Sequence, residues 1–182
     1  MWCGLHRLLS LLLFLLSCCC CCANSVSPCP PSLPPSKHRY ISKNIKLYEL
    51  RHDGLKLSTH AQANFARTEL AEALRRGPFQ VNTLLGGYDE KTDDSSLYTM
   101  DYLGSLHKVN FGCQGYSSHF CLSIMDRDFE EDMSEEQAIG VIEHCIKELQ
   151  LRFLPSQPNY IIKVIDKEGV RTVKAGMDPT DN

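Results

Sequence analysis

Two places in the chain set an imidazole beside a thiol, His119-Phe120-Cys121 and His144-Cys145. A cysteine nucleophile needs a base within hydrogen-bonding reach of its sulfur. Both pairs fall in stretches of helical pattern, where neighbouring residues project in different directions, so neither is expected to join base and nucleophile. Cys145 lies on an apolar stripe and is expected in the core. A zinc site asks for closed ligand sets such as paired C-x-x-C, a spacing that Cys113, His119, Cys121, His144 and Cys145 lack. The acidic run Asp89, Glu90, Asp93 and Asp94 has the ligand type for calcium but not the central glycine and terminal glutamate of a binding loop. A solvated hairpin connection is expected there instead. Leu85-Gly86-Gly87-Tyr88 is a weak phosphate-loop candidate, because it lies in an alternating stretch and no Lys-Ser/Thr follows. Its glycines are expected to permit close packing against a sheet. No catalytic, cofactor-binding or metal-ligating residue is assigned, and no cofactor.

The elements that would position these residues can be read from periodicity. Ile41, Ile45 and Tyr48 share one face of a short helix that should end near Asp53-Gly54. Ser58 can cap a second helix with an apolar stripe of Ala66, Leu70, Ala73 and Leu74, stopped by Gly77-Pro78. Then Phe79, Val81, Thr83 and Leu85 alternate, as do Tyr98, Met100 and Tyr102, with polar residues 89–96 as the hairpin connection between them. A short strand over 106–109 leads into a Gly-rich turn and a helix over 118–127. Ser134 and Gln137 form a capping box that opens the longest helix. Its stripe is Ala138, Val141, Ile142, Cys145 and Leu149, with Glu143 and Lys147 paired on the solvent face. Residues 159–173 read as a hairpin turning at Lys167-Glu168-Gly169, and 174–182 as a flexible tail. Grouped blocks of helices and strands predict an α+β fold with antiparallel sheet, not a parallel doubly wound one.

Apolar residues make up 43% of the 182, enough for a core, and the net charge of −3 with dispersed basic residues argues against a polyanion partner such as nucleic acid. Ten cysteines suggest a disulfide scaffold until they are placed. Cys3, Cys18 to Cys22 and Cys29 crowd into the head, and adjacent cysteines cannot satisfy disulfide geometry with each other. Cys113, Cys121 and Cys145 are left in the body, as an odd set of buried-type thiols that reads as reduced and intracellular. Residues 1–23, with Arg7 before a leucine run and Ala23 after it, have a signal-peptide outline. The run is too short for a comfortable membrane span. Residues 24–39 are proline-rich linker by composition.

The block 40–173, opening on Tyr40 and closing at Val173, resembles the proteasome beta subunit family. The resemblance rests on YISKNIKLYELRHDG, ANFARTELAEALR, PFQVNTLLGGYDE, LYTMDYLGSLHK, GYSSHFCLSIMDR, MSEEQA and IIKVIDKEGV in that order. Each string is weak alone; the ordered series is specific. It covers nearly three quarters of the chain and none of the first 39 residues. It implies the N-terminal nucleophile hydrolase fold, a four-layer αββα sandwich, here incomplete at its N-terminus. It also implies neighbouring proteasome beta and alpha subunits as partners, a place in the cytoplasm and nucleus, and no cofactor.

Active members of that family attack with the hydroxyl of an N-terminal threonine, tuned by an aspartate and a lysine from opening strands. In this chain the leucine-cysteine-proline head stands in place of that region. Active members also carry a Gly-Ser-Gly turn, which here reads Gly115-Tyr116-Ser117. Their Asp-x-x-Ser-Gly reads Phe153-Leu154-Pro155-Ser156-Gln157, with Ser156 alone retained. The chain is therefore expected to be a non-catalytic structural beta subunit supporting ring assembly for ubiquitin-dependent degradation, and a truncated variant of one. Without opening strands the sheets would expose edges, so poor assembly of this form is expected. Contact surfaces are expected on the exposed helices and at 112–117. The alternatives are a secreted or tethered binding module, a hydrolase using Ser156 or a cysteine, and a non-productive gene-model or splice variant whose head is not native. No membrane association is expected despite the apolar head.

Overall fold

The computed structural model describes residues 11–13, 35–79, 81–152 and 160–175. The chain runs β1 (Leu11–Leu13), α1 (Pro35–Arg51), α2 (Thr59–Ala73), β2 (Thr83–Asp89), β3 (Asp94–Met100), β4 (Leu106–Val109), α3 (Ser118–Asp128), α4 (Glu135–Arg152), β5 (Ile161–Asp166) and β6 (Gly169–Ala175). Helices and antiparallel sheet occur in the grouped order that the periodicity predicts.

Helix α1 begins at Pro35, inside the stretch that composition marks as linker. Proline is compatible with the first turn of a helix, where its missing N–H is not needed. The helix ends where expected. Asp53 takes a left-handed φ of 52°, and the Gly54 N–H reaches back to the Glu49 carbonyl at 2.9 Å. Helix α2 opens on Ser58, whose Oγ accepts from the Ala61 N–H at 3.2 Å. Its buried face is Ala63, Ala66 and Leu70, while Ala73 and Leu74 are only half-buried.

One sheet has the order β2-β3-β4, antiparallel throughout. Strand β3 departs from simple alternation: Ser95, Ser96, Leu97, Tyr98 and Met100 are all buried. Helix α2 and β1 of the second sheet both pack against β3, and consecutive residues of β3 lose solvent. The expected stripe does not extend to Tyr102, which is 43% exposed. The Asp101 carboxylate accepts from the N–H groups of Leu103 and Ser105 at 3.0 and 2.7 Å, turning the chain just after Met100.

The second sheet has the order β1-β5-β6. Leu11, Leu12 and Leu13, in the segment with a signal-peptide outline, pair with Ile165, Val164 and Lys163 of β5. A short apolar run carries no periodicity to separate strand from helix. The β5–β6 hairpin turns at Lys167-Glu168 as expected, with Gly169 at φ 114° and the Glu168 N–H donating to Asp166 Oδ1 at 2.8 Å. The sheets meet through β2 and β5, and through β1 against β2 and β3.

The Ser134–Gln137 capping box forms reciprocally: the Ser134 N–H donates to Gln137 Oε1 at 2.8 Å and the Gln137 N–H to Ser134 Oγ at 3.3 Å. Ile142, Cys145 and Leu149 of the expected α4 stripe are buried. So is Ile146, which the expected stripe omits. It packs with Ile142, Tyr160 and Ile162 and so seats α4 on β5. On its other side α4 packs on α3 through Cys121, Ile124, Met125, Cys145 and Leu149. Among the described residues no helix is long and apolar enough to cross a membrane.

Candidate functional site

Of the residues singled out for chemistry, Cys113, Cys121 and Cys145 gather beside the loop between β4 and α3. Gly115 takes φ 78°, a conformation that suits glycine, and the chain then enters α3. At this turn Tyr116 is exposed, its ring edge-on to His119 with centroids 5.5 Å apart. Ser117 faces the other way. It is 1% exposed, and its hydroxyl donates to the Gln114 carbonyl at 3.2 Å. The turn therefore presents a phenol to solvent and turns its serine hydroxyl inward.

Below it, three thiols that are distant in sequence converge. Cys113 comes from the loop, Cys121 from the first turn of α3 and Cys145 from the middle of α4, all in one apolar cluster and all free. Cys113 Sγ lies 3.6 Å from Ser117 Oγ. Cys121, with Ser117 and the Gln114 N–H, draws the Cys113 thiol down to about 7 against the opposing effect of burial. The neighbouring Cys113 and Cys145 thiols, and then burial, push the Cys121 thiol up. Cys145 is lowered, chiefly by the Cys121 thiol. Sequence placed each thiol in the core but gave no sign that they meet; only the packing of α3 on α4 brings them together.

Neither imidazole is directed at these sulfurs. His119 is exposed while Cys121 is fully buried, as expected of positions two apart on a helix. His144 Nδ1 lies 2.8 Å from Asp128 Oδ2, an imidazole–carboxylate pair joining α4 to the end of α3. This pair was not legible in the sequence. Arg127 and then His144 hold the Asp128 carboxyl down to about 2.

The acidic hairpin divides its carboxylates among separate partners. Asp89 accepts from the Lys91 N–H at 3.1 Å, Glu90 pairs with Lys56 at 2.5 Å, and Asp94 pairs with Lys108 at 3.2 Å. Asp93 accepts from the Tyr88 hydroxyl, which this bond pushes up to about 12. Among the described residues no three such side chains stand in metal-ligating geometry. Gly87 lies against the start of α2: a Cβ there would fall 2.5 Å from Thr59 Oγ1. The glycine thus permits helix–sheet approach, the role expected for it. Ser156 and its neighbours at 153–157 lie outside the described residues, as do Gln80 and most of the head. A cavity of about 600 Å³ lies between β3, α3 and α4, with Leu84, Leu97, Phe111, Met125 and Phe129 among its walls and the Asp94–Lys108 pair at its edge.

Comparison with known proteins gives a consistent result. The family model described as "Proteasome subunit" matches residues 37–165. Proteasome subunit beta type-2-B of Arabidopsis thaliana is 49% identical over 132 residues, covering 72% of this chain and 65% of that protein. Proteasome subunit beta type-2 of Oryza sativa subsp. japonica is also 49% identical, covering 72% of this chain and 61% of its own length. The Dictyostelium discoideum protein of that name is 48% identical over 136 residues, 74% and 68% of the two chains. This chain thus spans a little under two thirds of the length of the plant relatives. The matched span takes in α2 through α4, with the thiol cluster and the Tyr116 turn inside it, and on that extent the chain belongs to the proteasome subunit family.

Proposed function

We propose that the chain is a structural, non-catalytic beta subunit of the proteasome core particle, serving ubiquitin-dependent protein degradation in the cytoplasm and nucleus. The observation that carries this reading is the unbroken family match over 37–165, together with near-half identity to proteins named beta type-2. Its partners are neighbouring beta and alpha subunits, met through surfaces that include the exposed helices and the 112–117 turn. The beta-type domain is assigned to 40–173, with 1–23 as head, 24–39 as linker and 174–182 as tail.

The αββα layering belongs to the same proposal. Contacts of α2 on the β2-β3-β4 sheet, of the two sheets on each other, and of α4 on β5 support the order α1/α2, sheet, sheet, α3/α4. The Tyr116 turn supports the absence of catalysis. Where active members of the family carry the middle serine of Gly-Ser-Gly, this chain exposes a phenol, and Ser117 is committed to the Gln114 carbonyl.

The test is to express the chain with a C-terminal tag in eukaryotic cells and to isolate core particles on native gels. A tag in the core-particle band, with peptidase activity per particle unchanged by Ser156→Ala, would support the structural role and overturn the expectation that this form assembles poorly. A tag absent from particles and recovered as a secreted, N-terminally processed protein would instead favour the tethered binding module.

A further inference from the structure

The cavity of about 600 Å³ between β3, α3 and α4 has the size of a small-molecule site. Leu97, Phe111, Met125, Phe129 and Val141 give it an apolar interior. Its mouth is acidic. Asp93 and Asp94 come from the β2–β3 hairpin, and Glu130, Glu131 and Asp132 from the loop joining α3 to α4; all five are exposed. Lys108 is the only cation among the described residues that line the cavity, and it is committed to Asp94 at 3.2 Å. Among the described residues the carboxylates of Glu130, Glu131 and Asp132 have no cationic partner. The Glu130 N–H instead donates to Met133 Sδ at 3.4 Å, which ties this acidic loop to a residue of the cavity wall.

We propose that the cavity binds a small lipophilic cation, with an aryl or alkyl body inside and a protonated amine at the mouth. Each part of such a ligand meets matching chemistry. The apolar body leaves water for an apolar interior, which is favourable in proportion to the area buried. The ammonium stays among exposed carboxylates, so it gains their attraction without the cost of burying a charge. A mouth lined by one sign of charge concentrates cations and repels anions. A neutral molecule of the same shape gains only the burial of its body. The five carboxylates lie outside the 112–117 turn and between helices, not on them, so the site is independent of the reading as a ring subunit.

Methionines report on the site. Met125 and Met133 line the cavity, whereas Met100 packs with Ala66 and Leu70 of α2. The folded full-length chain is isotope-labelled at its methionine methyls and titrated with phenylbutylamine in an NMR experiment. The Met125 and Met133 methyl signals are expected to shift together and to saturate, with Met100 unmoved. Phenylbutanol should bind more weakly at the same place, and phenylbutyrate more weakly still. The variant E130Q/E131Q/D132N should weaken phenylbutylamine about threefold or more, as removal of three exposed charges implies, and leave phenylbutanol unchanged. Ala138→Leu, which adds bulk at a lining position, should weaken both ligands. Silence of Met125 and Met133, or an equal shift of Met100, would overturn the proposal. So would equal affinity for the amine and the alcohol, or an amine affinity untouched by E130Q/E131Q/D132N.

Discussion

Asp128 stands where two helices meet, and its surroundings set a testable pH dependence. Arg127 and His144 hold its carboxyl down to about 2 from an ordinary 3.8. A carboxyl whose folded pKa lies below its unfolded one adds stability above about pH 4, and that contribution is lost as pH falls toward 2. Asp166 is shifted the same way by Arg171 and the Glu168 N–H, and adds to the same acid window. Asp128→Asn should therefore lower the urea midpoint at pH 7, with the deficit against wild type shrinking between pH 4 and pH 2. A deficit constant across that range would show that Asp128 acts through packing and not through charge. Cys145 was legible as a core residue from its stripe, but the Asp128–His144 pair was not, because its partners are sixteen residues apart on separate helices.

The start of α4 was readable to the residue. A serine followed three positions later by glutamine satisfies two helix-end N–H groups reciprocally, and local sequence alone dictates it. Ser134→Ala should cost about 1 kcal/mol, read as a lowered denaturation midpoint with an unchanged urea dependence. The approach of α2 to β2 is a different kind of fact. Gly87 was expected to serve packing, but its partner Thr59 became known only once the helix lay across the sheet. Thr59 is buried and β-branched, so a methyl group 2.5 Å from its hydroxyl cannot be accommodated by a simple swing of the side chain. Gly87→Ala should destabilise by about 1–3 kcal/mol, and pairing it with Thr59→Ser should recover part of the loss. If Thr59→Ser recovers nothing, the contact is not the cause.

At the level of the whole molecule, β3 in one sheet and β5 in the other have a partner on each side, while β2 and β4 are edges of their sheet among the described residues. Edge strands present unpaired backbone groups, and β4 carries the exposed Lys108, a residue type that discourages edge-to-edge pairing. Native-state hydrogen exchange should therefore find β3 and the buried face of α4 slowest, with α1 and the residues 90–93 connection fastest. Protection of β4 equal to that of β3 would mean that another element or subunit covers that edge. Leu11–Leu13 illustrates the limit of the sequence at this scale. A leucine run fits a signal segment and a sheet strand equally well, and pairing with β5 is a choice made by the sheet.

Residue order alone determined the kinds of elements and most of their ends, the Ser58 cap and the capping box of α4, and membership of the proteasome subunit family. Each of these depends on neighbours a few positions apart or on ordered strings. Tertiary structure alone decided that β3 is buried on both faces, that Ile146 joins the core, that the acidic hairpin spreads its carboxylates over separate partners, and that three cysteines share one cluster. These depend on which surfaces are brought face to face, and periodicity along one element cannot say what lies across from it.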